Sequence, residues 1–284
     1  MEPIILKNVK KKFKKRTVLN DVNFTLNGGI NILVGENGAG KSTLFYLITG
    51  VMKANSGVIL LNGKDPWKYH SIAMKDVTFM PERPTFLGGS SIREYIYWFA
   101  NLNGTGTEQI IYYMDLFGIH DIIGSTFQSL SMGENQLIML ACYLSTNSSI
   151  FILDEPNSNV DVHKRSVISD AIKEKAKKSN SLFLISTHIF DDLFTIYDRI
   201  LLLHNGKVKN IDKSEGLSYI SMVRTDNNKL MFDLIKEYDK NATFKHGSIF
   251  TSLGIDGCTK IADEHGIRIL SYYSLPEDQR LLYE

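Results

Sequence analysis

Cysteine is scarce in this chain. Its 284 residues hold two, Cys142 and Cys258, far apart and without metal-type spacing. That usage fits two small buried hydrophobes in a reducing compartment. An excess of one charge is also missing: 32 Lys and Arg stand against 31 Asp and Glu, a net charge of +1. A dedicated nucleic-acid binder carries a clear basic surplus, so no nucleic-acid partner is expected. The N-terminal stretch MEPIILKNVK lacks an apolar core followed by a small-residue cleavage site, which predicts no secretion signal. Long apolar runs are absent too. The longest uncharged window, NQLIMLACYLSTNSSIFIL (135–153), is studded with Asn, Gln, Thr and Ser. It reads as a buried helix entering a buried strand rather than a lipid-facing span, and predicts a soluble chain. No internal repeat or low-complexity tract appears, and six of the histidines (His70, His120, His163, His204, His246 and His265) show no mutual spacing of a metal site.

What is present is core material, 43% hydrophobic against 22% charged, enough for one large or two smaller domains. Short strand patterns are read at 4–9 and 22–26, with buried strands at 30–35, 149–156 and 181–187. Helical segments are read at 41–50, about 90–146 and 162–178, and Asn-Gly turns at 62–63 and 205–206 predict hairpins. Strands alternating with helices imply an α/β fold, a largely parallel sheet covered on both faces. The stretch 90–146 reads as an inserted helical subdomain. Beyond residue 212 the pattern changes. Strands at 218–224, 241–245, 248–252 and 266–272 with helices at 228–239 and 256–265 give βαββαβ, a small α+β, ferredoxin-like unit over 213–284, with a short helix expected from Leu275.

GENGAGKST (35–43) sits between a strand and a helix and matches G-x-x-x-x-G-K-[ST]. Glycines at Gly35, Gly38 and Gly40 let backbone N–H groups curl around a phosphate, and the following helix aims its positive end there. Lys41 would bridge the β- and γ-phosphates and Ser42 would ligate Mg²⁺. SIFILDEP (149–156) delivers Asp154 to the same sheet edge, where it can hold the Mg²⁺ shell while Glu155 polarises an attacking water.

With these motifs the chain resembles the ATP-binding subunit of an ABC transporter, a P-loop NTPase, over residues 4 to about 210. The family's signature appears as LSMGE (130–134), 23 residues before Asp154 counted from Ser131. Its D-loop appears as SNVD (158–161) and its switch histidine as His188 in STHIF. The resemblance implies an ABC ATPase domain at 1–212, with Asn37, Ala39 and Thr43 joining the phosphate loop around ATP. It implies that Ser131 and Gly133 complete the site of a second copy, that Asp161 links the two sites, and that His188 contacts the γ-phosphate. Phe13, within KKKFKKR (10–16), holds the position of the family's adenine-stacking aromatic ring. Glu82, in MPERP (80–84), stands where the family has glutamine, and is read as a catalytic and Mg²⁺-coordinating carboxylate. The signature carries Met132 for Gly and Glu134 for Gln.

Three classes follow from the resemblance: a transport ATPase, a soluble ATPase acting on ribosomes or chromosomes, and a degenerate regulatory subunit. Only 47 residues separate Glu82 from Leu130, with one motif set, which disfavours the second class; Lys41, Asp154, Glu155 and His188 together disfavour the third. The transport reading resembles ABC-2-type exporters of drugs, antimicrobial peptides or similar compounds, an importer ATPase being the alternative. It implies a separate membrane permease, a second ATPase subunit, and a cytoplasmic chain held at the membrane by that permease.

Overall fold

The computed structural model of the chain describes residues 3–14, 16–83, 90–187, 193, 196–212, 219–245 and 247–276. Two compact units are present, Met1–Asp212 and Lys213–Glu284. In chain order the first contains β1 (Ile4–Phe13), β2 (Arg16–Leu26), β3 (Ile30–Val34), α1 (Lys41–Ile48), β4 (Ser56–Leu61), α2 (His70–Ala73), β5 (Val77–Met80), α3 (Ile92–Asn103), α4 (Thr107–Leu116), α5 (Met132–Ser145), β6 (Ile150–Asp154), α6 (Val162–Ser179), β7 (Leu182–Thr187), β8 (Arg199–His204) and β9 (Lys207–Asp212).

INILV, IFILD and LFLIST are continuous runs, every residue buried, as strands covered on both faces must be. They form the middle of a six-stranded sheet ordered β5-β6-β7-β3-β8-β9, parallel except for the β8–β9 hairpin. Asn205 and Gly206 turn that hairpin with φ of 49° and 72°, the left-handed pair a two-residue hairpin needs. Because β7 alone separates β6 from β3, the residues leaving β3 and β6 emerge side by side at one sheet edge.

A second, antiparallel sheet, ordered β2-β1-β4, lies against α1 and shares one core with the large sheet, including Ile4, Leu19, Phe24, Phe45, Ile152 and Leu184. Here the expectation of short strands at 4–9 and 22–26 is corrected. The two strands are long, and residues 10–13 and 16 of the basic run fall within them. Register shifts along the pair, with Asn8 and Asp21 at φ of 51° and 65°, break the period-two pattern that would reveal it. The hairpin expected around Asn62-Gly63 reduces to an isolated bridge between Leu61 and Lys64.

The helices α3, α4 and α5 occupy the predicted 90–146 region. A Ser91–Glu94 capping box starts α3. The run YIYWF splits by helical period: Tyr95 and Phe99 pack on Phe127 and Tyr143, while Tyr97 and Trp98 face outward. The window 135–153 becomes α5 and β6, both buried, and among the described residues no helix is long and apolar enough to cross a membrane.

The second unit runs β10 (Tyr219–Thr225), α7 (Asn228–Tyr238), β11 (Thr243–Lys245), β12 (Ser248–Thr251), α8 (Ile255–Glu264) and β13 (Ile269–Pro276). Its antiparallel sheet is ordered β11-β12-β10-β13, the split βαβ order, around Val223, Met231, Ile235, Ile249 and Ile261. Residues 266–268, beginning with Gly266 at φ 64°, form the turn after α8, so β13 starts later than expected and runs to Pro276. The helix expected from Leu275 therefore does not begin there, and 277–284 lie outside the described residues.

Candidate nucleotide site

The phosphate loop leaves β3 at Gly35 and enters α1 at Lys41. Gly40 is the N-cap of α1, with φ of 110°, and a Cβ there would come within 2.7 Å of Val18 Cγ1. No other residue fits that turn, and the contact shows β2 lying directly on the loop. Lys41 is buried at 6% exposure, and its Nζ donates to the Gly35 carbonyl at 2.8 Å. It also lies 3.3 Å from Glu155 Oε1.

Asp154 ends β6 and is fully buried. The Ser186 hydroxyl of β7 donates to its Oδ1, while Oδ2 has no hydrogen-bond partner. Burial pushes its pKa up; the hydroxyls of Ser186 and Ser42 oppose that, and the negative charges of Glu155 and Glu82 add to it. The next residue, Glu155, takes a left-handed φ of 53°, rare for a side-chain-bearing residue and costing of order 1–3 kcal/mol. Its amide donates to the Ser186 hydroxyl at 3.0 Å, and Gln136 Nε2 of α5 donates to its carbonyl at 3.1 Å. The strained turn is thus held from β7 and from α5.

Asn37, Gly38, Gly40, Lys41, Ser42, Thr43, Glu82 and Glu155 line one cleft of about 490 Å³, joined by Arg16, Val18 and Ser158. The structure therefore gathers most of the predicted phosphate-loop residues with Glu82 and Glu155, two of the three expected carboxylates. Ala39 lies on the other side of the loop, lining a smaller hollow of about 250 Å³, and Gly35 contributes its carbonyl to Lys41. The buried orphan oxygen of Asp154 beside Ser42, Glu82 and Glu155 is an oxygen donor set of the kind a hard divalent cation takes. Among the described residues no three His, Cys, Asp or Glu side chains are grouped to hold a metal alone, so such a cation would also need Ser42 and ligand oxygens.

Besides Gly35, Ala39 and the buried Asp154, the predicted residues Phe13, Ser131, Gly133 and Asp161 lie outside the cleft lining. Phe13 ends β1 opposite Arg16, 41% exposed, with Lys11 Nζ 5.0 Å from its ring centroid. Ser131 caps α5 in a reciprocal box with Glu134: its Oγ accepts from the Glu134 amide at 3.2 Å, and the Glu134 carboxylate accepts from the Ser131 amide at 2.9 Å. The Ser131 hydroxyl, which donates to the Glu134 carboxylate at 2.7 Å, and then the Ser131 amide hold that carboxyl below its ordinary pKa. A Cβ on Gly133 would meet the Asn159 carbonyl at 2.4 Å, so the start of α5 rests on the loop that carries Asp161. His188 lies outside the described residues. Sequence reasoning missed Arg16, Ser186 and Gln136. Only Arg16 had a signal, its place in the basic run beside Phe13.

Comparison with known proteins accords with this geometry. The family model described as ABC transporter matches residues 19–158. An uncharacterized ABC transporter ATP-binding protein of Bacillus subtilis, YhcH, is 30% identical over 208 residues, 72% of this chain and 68% of that protein. The lantibiotic transport ATP-binding protein SrtF of Streptococcus pyogenes is 28% identical over 232 residues, 80% of this chain and 97% of SrtF. The Fe(3+) ions import ATP-binding protein FbpC of Escherichia coli O157:H7 is 27% identical over 220 residues, 75% of this chain and 62% of FbpC. A solved ATP-binding subunit of an ABC transporter superposes with a TM-score of 0.66 at 24% identity, covering 75% of this chain and 90% of that one. The chain belongs to the ABC transporter family, as an ATP-binding and ATP-hydrolysing subunit.

Proposed function

We propose that this subunit drives a separate membrane permease, and that the transport is export of a drug, antimicrobial peptide or similar compound. The observation that carries the reading is the cleft itself, where the loop lysine and the strained glutamate face each other at 3.3 Å. A site that keeps Lys41, Asp154 and Glu155 in working positions belongs to a turning-over ATPase rather than a regulatory subunit. The direction of transport rests on two supports, the resemblance to ABC-2-type exporters and the match along nearly the whole of SrtF, a protein named for lantibiotic transport. FbpC, named for import, is matched over a smaller share of its length.

In this mechanism the loop N–H groups and Lys41 hold the β- and γ-phosphates of ATP, and Phe13 stacks on the adenine. As phosphate draws Lys41, Glu155 is released to take a proton from the attacking water. Ser42, Asp154 and Glu82 would hold Mg²⁺, which supplies charge neutralisation at the transferring phosphate. Ser131 and Gly133 of a second ATPase subunit close over the γ-phosphate, His188 helps hold the water, and Asp161 links the two sites. Closure moves the helical subdomains against the permease, for which the outward-facing Tyr97, Trp98 and Leu102 of α3 offer an apolar contact.

The test is a tagged Glu155→Gln pull-down from detergent-solubilised native membranes with ATP present. A polytopic partner in stoichiometric amount is expected, along with a closed dimer of ATPase subunits. Ribosomal or DNA-associated partners, or a variant that stays monomeric at saturating ATP and Mg²⁺, would overturn the reading.

A further inference from the structure

The cleft has two chemically different ends. Lys41, Ser42, Glu82 and Glu155 gather at the N-terminus of α1. At the other end Arg16, Val18 and Gly38 form the wall, next to the hairpin turn that carries Phe13. A nucleotide brings several negative charges into a lining that already contains two carboxylates above the buried Asp154. Lys41 is partly committed, to Glu155 and to the Gly35 carbonyl. Arg16 is the second cation of the lining, and no carboxylate pairs with it among the described residues.

Its position is set by strand rather than loop. Arg16 opens β2 directly across from Phe13. Val18, two residues on and so on the same face of the strand, packs against Gly40. The guanidinium is therefore docked onto the loop from outside it, and Nη2 donates to the Gly38 carbonyl at 3.2 Å. Guanidinium has five N–H donors in a rigid fork, so that one bond leaves the rest for an anion. Arg16 also borders the smaller hollow behind the loop, which places its fork along the loop's crown, away from the Lys41 end.

We infer that Arg16 is a nucleotide-binding residue that clamps the α-phosphate, the phosphate nearest the hairpin when the terminal phosphates lie at α1. This rests on the reading of the cleft as the nucleotide site with the base toward Phe13. It gives one cation of the basic run a defined task at the phosphates.

The experiment is competition binding on the full chain, in which ATP, ADP, AMP and adenosine each displace a fluorescent ADP analogue. Arg16→Gln keeps a donor for the Gly38 carbonyl but removes the charge. It should weaken ATP, ADP and AMP alike by about tenfold, the size of a charge-assisted contact, with adenosine unchanged. Arg16→Lys, which keeps the charge without the fork, should fall between. Equal losses for adenosine, a loss confined to ATP, or unchanged affinities with only a lower melting temperature would each overturn the assignment. Failure of the unsubstituted chain to bind ATP at all would instead overturn the nucleotide-site reading on which it rests.

Discussion

Asp154 and Glu155 are neighbours with opposite burdens. Asp154 is buried with one oxygen unpartnered and its pKa raised by burial, so its ionised form costs stability in the empty protein. A raised folded pKa means its stabilising contribution is complete below the ordinary carboxylate range, near pH 4, and lost as pH rises through the folded value. Asp154→Asn removes that cost while still accepting from Ser186. The variant should melt a few degrees above the natural chain at neutral pH without nucleotide, and the gap should close toward acid pH. Calorimetry across pH checks this; a variant that melts lower at pH 7 would show that Asp154 is satisfied in the empty site. At the same scale, Glu155 shows what sequence alone conveys. Its identity and place after a buried strand were readable, but its left-handed backbone and its tie to Lys41 were not. Those depend on Ser186 and Gln136, 31 and 19 residues away in sequence.

At the scale of elements, the legible parts were those whose pattern is local. The loop GENGAGKST and the buried strands β3, β6 and β7 carry their own geometry, because glycine spacing and an unbroken apolar run admit few alternatives. The β1–β2 hairpin was not legible, since Asn8, Asp21 and Asn23 bond across its irregularity and place polar residues where alternation would put apolar ones. The signature helix α5 falls between these cases. Ser131 and Glu134 mark its start in sequence, and the box they form makes Glu134 a capping residue as well as a departure from the family glutamine. What the pattern could not show is that Gly133 abuts the loop of Asp161. Gly133→Ala would drive a methyl to 2.4 Å from the Asn159 carbonyl, so either α5 or that loop must shift. Both bear on the proposed partner site, and of the two only the loop reaches the chain's own cleft, at its edge through Ser158. ATP-dependent dimerisation and turnover should therefore fall at least tenfold while ATP affinity of the monomer stays within about twofold. Light scattering and titration separate the two, and equal loss of both would locate the damage in the chain's own site instead.

At the scale of the whole molecule, the division at Asp212 separates two bodies with their own cores, Phe45, Ile152 and Leu184 in one and Met231, Ile249 and Ile261 in the other. Among the described residues, those lining the nucleotide cleft come from the first. The strands that carry the site belong to its six-stranded sheet, in which β9 pairs with β8 among the described residues. A chain ending at Asp212 should therefore fold and bind ATP with an affinity within about twofold of the full chain, because a unit with its own core and complete sheet loses no pairing at the cut. Circular dichroism and nucleotide titration of residues 1–212 provide the measurement. If the shortened chain aggregates or loses ATP binding, the small unit stabilises the cassette. If binding persists but permease-coupled turnover falls, the βαββαβ unit acts in assembly rather than in the chemistry, consistent with a cleft whose described lining precedes it.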